Sequence, residues 1–128
     1  MRHQSNRLIE LQTGVQKRSN VLRTLLTNLV REGQITTTLK RAKVLRAYAD
    51  HFFARLVSMS DRYDNKWFDR ESVRYIKSII WTDAEGRKLS QDIIPRYIKS
   101  NNKSWFVSIY KAGYRSGDGA EKVLVKIA

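Results

Sequence analysis

In the stretch ITTTLKRAKVLRAYA, residues 35–49, three threonines lead into four closely spaced cations, Lys40, Arg41, Lys43 and Arg46. The pattern is that of a helix start, and a helix N-terminus already carries a partial positive charge of about half a unit. Cations placed there are disfavoured unless an anion stands beside them. Backbone N–H groups, the helix dipole and the four side chains together suit a phosphate, with arginine adding two parallel hydrogen bonds in a rigid fork. The hydroxyls of Thr36, Thr37 and Thr38 can add neutral hydrogen bonds, although capping and strand propensity account for these threonines equally well.

Two further basic groups invite the same chemistry. One is the opening segment, with Arg2, His3, Arg7, Lys17 and Arg18; the other is an expected hairpin tip, with Lys111, Tyr114 and Arg115. An exposed tyrosine or tryptophan can stack on an unpaired base. Trp105, Phe106 and Tyr110 are read first as core, because strand aromatics usually are, and base stacking is the lesser reading for them. Each cluster alone is as well explained by a solvated face. A formal charge of +13, from 25 Lys and Arg against 12 Asp and Glu, makes the set harder to dismiss, since such self-repulsion is better tolerated beside a polyanion.

No enzymatic constellation accompanies these cations. The chain has no cysteine, and its two histidines are His3 and His51. His51 follows Asp50 in mid-helix, where adjacent side chains diverge, so a structural role is expected. The GDG of residues 117–119 lacks the strand-to-helix setting and the Lys and Ser or Thr of a phosphate loop, and it reads as a turn. The expectation is a non-enzyme with no cofactor and no metal.

The elements that must position the cations follow from periodicity. Leu22, Leu25, Leu26 and Leu29 share one helical face, with Ser19 as the expected N-cap and Gly33 as the stop. Gln34 to Thr38 is short and β-branched, a strand. A second helix is expected from Leu39 to Ser58, burying Ala42, Leu45, Ala49, Phe52 and Leu56 and leaving the cations outside. Residues 61–69 read as a loop, Val73, Ile76, Ile79 and Ile80 as a third helix, DAEG at 83–86 as a turn, and Leu89 to Ile94 as a short helix ending before Pro95. Alternation around Trp105, Val107 and Ile109 and again at Val123, Val125 and Ile127 predicts a long hairpin, to which the strand near Ile35 could add. The fold class is therefore α+β: three to four helices on a small sheet made of a C-terminal β-hairpin and one short strand, with an extended N-terminal arm at residues 1–17 and a single domain at 18–128.

With 128 residues, 41% of them hydrophobic, the chain suits one domain. Before Ser60 there are 11 basic and 3 acidic residues and after it 14 and 9, so the excess is heavier at the front. The opening MRHQSNRLIELQ lacks the apolar core of a secretory signal and no run nears the length of a membrane span. Cytoplasm or an organelle matrix is the expected compartment.

The residues also carry a resemblance. The run of Ile35, Thr37, Thr38, Arg41, Ala42, Lys43, Leu45 and Arg46 resembles the signature of the bacterial-type large-subunit ribosomal protein seventeen family. MRH at the start, LLTNLVREGQI, PRY at 95–97 and KAGYRSGDGA agree in order. The resemblance implies a compact mixed fold near the exit of the polypeptide tunnel, bound to large-subunit ribosomal RNA and neighbouring ribosomal proteins, in a single copy per ribosome with no homo-oligomer and no membrane contact. By matching position it implies that Arg2, His3, Thr37, Thr38, Arg41, Lys43, Arg46 and Arg115 face RNA. Two departures stand out: the opening is less densely basic than the family's, and KSWFV, residues 103–107, replaces its typical Gly-Gly-Tyr-Thr-Arg.

The leading expectation is thus a structural RNA-binding protein of the large ribosomal subunit. The alternative is a small basic DNA-binding regulator, because two helices joined by a turn imitate a helix-turn-helix unit. That alternative is weakened by the β-branched segment between the helices and by the absence of base-reading Asn or Gln beside the cations.

Overall fold

The computed structural model describes residues 15–62, 65–101 and 103–127. The first helix, α1, spans Val15–Glu32 and begins before Ser19, which lies inside it and is not its cap. Gln16, Lys17 and Arg18 are good helix formers by type and extend the helix backwards at little cost. Gly33 ends α1 as expected, at φ +80°, its N–H donating to the Leu29 carbonyl at 2.8 Å.

Strand β1, Gln34–Thr38, runs without a loop into α2, Leu39–Arg62. The expected stripe of α2 is buried throughout, joined by Val44, Phe53, Val57 and Met59. The expected loop at 61–69 is instead helix at both ends, because α3 already begins at Asn65 and continues to Ile79. The polar, charged residues there are adequate helix formers, and Arg74 pairs with Glu71 one turn away at 3.5 Å. On α3, Ile76 is buried while Val73 is exposed.

DAEG is not a turn but the start of α4, Asp83–Lys88. Acids at Asp83 and Glu85 suit a helix N-terminus, and Gly86 allows close approach: a Cβ there would stand 3.3 Å from the Ile76 methyl. Nor does Pro95 end the next helix. A wide turn at Leu89–Ile93 leads directly into α5, Ile94–Lys99, with proline in its first turn. The Ile94 N–H reaches back five residues to the Leu89 carbonyl, and this re-registration places Pro95 where its missing N–H is not needed. α4, the wide turn and α5 run on as one helical segment, giving four such segments against the sheet.

The hairpin is β2, Val107–Tyr114, with β3, Glu121–Ile127. Both pairings are antiparallel and the order is β1-β3-β2, so the short strand joins the hairpin through β3. Ile35 lies opposite Val125 and Thr37 opposite Val123; Val107 lies opposite Ile127 and Ile109 opposite Val125. By the alternation of strands these residues form the face that packs on α2, where Leu45, Ala49, Phe53, Phe106, Val123 and Val125 share one core. Trp105, expected in the strand, precedes it and is exposed. Phe106 is core, its ring tilted against those of Phe53 and Tyr97.

Candidate nucleic-acid interface

The first half of α2 carries no acidic residue in its opening turn. Lys40, Arg41 and Lys43 are exposed and Arg46 is half-buried. At about 100° per residue, Lys43 stands about 60° to one side of Lys40 and Arg46 about 60° beyond it, while Arg41 stands about 100° to the other side. Three cations therefore form a ribbon along one flank, and Arg41 faces the opposite flank. Among the described residues Arg41 and Lys43 have no hydrogen-bond or ion-pair partner.

Other cations are engaged within the chain. Arg23 donates to the Ile79 carbonyl at 2.9 Å and covers the Trp81 ring at 3.7 Å, closing the end of α3. Arg31 binds the buried Glu85 at 2.8 Å, and its guanidinium holds that carboxyl below the usual carboxylate range. Arg55 lies over the Tyr75 ring. The contrast separates cations that hold the fold from Arg41 and Lys43 at the head of α2.

Sheet register brings the hairpin tip to the same place. Thr38 pairs with Lys122 and Lys122 with Gly113, so the last residue before α2 and the hairpin tip lie at one end of the sheet, with adjacent strands about 4.8 Å apart. Lys111, Tyr114 and Arg115 are exposed there. Arg115 is forked onto Asp118, with Nε to Oδ1 at 3.0 Å, and Asp118 also accepts the Ala120 N–H at 3.1 Å. The arginine and that backbone N–H hold the Asp118 carboxyl below its ordinary range. Arg115 thus orders the tip as well as presenting charge.

Thr38 lies on the outer sheet face with Thr36, whereas Thr37 lies on the face covered by α2. Lys17 is exposed and Arg18 half-buried in the first turns of α1, one turn before Leu22, which packs with Val44 near the head of α2. Arg2, His3 and Arg7 lie outside the described residues. The structure therefore unites the head of α2 with the hairpin tip, and Lys17 and Arg18 open the helix whose Leu22 packs beside that head. It adds Lys122, half-buried on the outer face beside Thr38, which strand alternation alone would have found. It also exposes Trp105, whose strand-like setting makes base stacking the lesser reading.

Residues 21–128 match the family model described as Ribosomal protein L17. The chain belongs to the ribosomal protein L17 family. It is 32% identical over 111 residues to "Large ribosomal subunit protein bL17" of Clostridium botulinum (strain Loch Maree / Type A3), covering 87% of this chain and 88% of the relative. Proteins of the same description from Clostridium acetobutylicum and Clostridium tetani are each 31% identical over the same shares. Membership makes this chain a structural ribosomal protein and not an enzyme. Among the described residues no helix is long and apolar enough to cross a membrane.

Proposed function

We propose that this protein is a single-copy structural component of the large ribosomal subunit. It binds ribosomal RNA through the head of α2 and the hairpin tip, and so supports subunit assembly near the polypeptide exit tunnel. The observation that carries the reading is the pair Arg41 and Lys43, exposed at a helix N-terminus and without a partner among the described residues. Local interactions disfavour charge there, and a phosphate relieves it. The names of the Clostridium relatives favour the large subunit, and the family resemblance favours the tunnel exit, neighbouring ribosomal proteins and a place in the cytoplasm or an organelle matrix. Residues 18–128 would act as one RNA-binding domain, with Arg2, His3 and Arg7 reaching RNA from the preceding arm.

A helix-turn-helix reading is disfavoured by β1, which occupies the place of the tight turn between α1 and α2. The test is the double variant Arg41→Ala with Lys43→Ala, followed through sucrose gradients. It should keep the wild-type melting temperature yet be depleted from large subunits. Normal incorporation at physiological ionic strength would show that RNA meets another face.

A further inference from the structure

Trp105 is 69% exposed, although a tryptophan usually hides most of its large apolar surface. Its backbone sits at φ +59°, a left-handed conformation that is uncommon for any side chain and an outlier for a bulky one. Loop wandering does not explain it, because the chain is pinned immediately afterwards. Asp50 Oδ1 accepts the Phe106 N–H at 3.1 Å and the Val107 N–H at 3.2 Å, and the Phe106 ring is wholly buried. The scaffold therefore fixes where the indole stands, outside the core.

Its surroundings are cationic. The Arg46 guanidinium lies 4.9 Å from the ring centroid, a cation–π arrangement that leaves most of the ring open. Arg46 ends the ribbon begun by Lys40 and Lys43. Farther along α2, Lys103 joins His51, Arg55 and Ser58 around a shallow cleft. Asp50 is the acid beside this surface, and its Oδ1 is turned to the two backbone N–H groups.

We propose that Trp105 is a stacking platform for an unpaired RNA base, with Arg46 backing the ring and drawing in the adjoining phosphate. The inference rests on the RNA-binding reading above and adds to it a contact that a duplex cannot make. A preorganised aromatic surface loses little side-chain entropy on binding, and base stacking tolerates any sequence. An apolar protein neighbour would also cover an indole, but the basic surroundings favour a polyanion.

The experiment uses the full chain, a fluorescein-labelled single-stranded RNA of mixed sequence, and a labelled duplex of the same sequence. Trp105→Gly should melt no lower than wild type, since glycine adopts the positive φ freely. It should bind the single strand roughly 5- to 150-fold more weakly, with duplex affinity and salt dependence unchanged. Trp105→Phe, which keeps a ring, should retain most of the single-strand affinity. Unchanged single-strand affinity in Trp105→Gly, or equal losses on both RNAs, would overturn the proposal. Unchanged RNA binding with exclusion from assembled particles would overturn it in favour of a protein contact. If Arg41→Ala with Lys43→Ala weakens both RNAs while Trp105→Gly weakens neither, stacking alone fails; if wild type binds neither RNA, the underlying reading fails with it.

Discussion

Asp50 shows how one residue joins the core to the exposed surface. It sits one turn after Arg46 on α2 and accepts two backbone N–H groups at the start of β2. Truncating it to alanine leaves both donors without that acceptor, at an expected cost of about 1–3 kcal/mol. Burial pushes its carboxyl above the ordinary range, against the pull of the Val107 and Phe106 N–H groups and of Arg46. The sign follows from linkage: the raised value favours the protonated folded form, so this contribution is full below the ordinary carboxyl value and is lost as pH rises through the raised one. Asp50→Asn keeps an acceptor oxygen without a charge. Its stability relative to wild type, from urea melts at about pH 3.5 and about pH 7, should therefore improve with pH; a flat or falling difference would contradict the burial argument.

At the scale of elements, the passage from α1 through β1 to α2 has no slack, and Gly33 is the joint. It ends α1 in the left-handed region, and its carbonyl accepts the Ile127 N–H at 3.1 Å, tying the helix exit to β3. Nothing lies within 4 Å of a Cβ built there, so the cost of Gly33→Ala is conformational and not steric: about 1–2 kcal/mol, read as a lower urea midpoint at unchanged slope. Gly33→Asn should cost less, because asparagine tolerates this region better.

These same elements show what the sequence makes legible. Periodicity places α1, α2 and the hairpin because each buries a regular stripe, Leu45, Ala49 and Phe52 among its members, and β-branched residues place β1. It misses the start of α3, α4 and the passage through Pro95, where local signals compete with packing. Gly86 reads as a turn residue until Ile76 is seen against it, and proline reads as a stop until the wide turn re-registers the helix. The cations of α2 are legible from their type and spacing. Trp105 is not, since its strand-like neighbours suggest core and only the Asp50 anchor reveals that it is turned outward.

Over the whole molecule, charge is divided by use. Arg23, Arg31 and Arg55 are spent on a helix end, a buried carboxylate and an aromatic ring, whereas Arg41 and Lys43 on α2 are left for a partner. A protein of charge +13 organised this way should bind RNA mainly by releasing counterions. With about six phosphate contacts, affinity should fall by roughly three powers of ten between about 50 and about 200 mM salt. Removing Arg41 and Lys43 should lower the log–log slope by roughly 1.4 to 1.8, because each lost phosphate contact removes roughly 0.7 to 0.9. Replacing Arg31 or Arg23, whose charges are already engaged, should lower stability and leave that slope in place. Equal slopes for wild type and the Arg41→Ala, Lys43→Ala variant, measured by RNA titration across salt, would mean that the head of α2 does not meet phosphate, whatever the rest of the surface does.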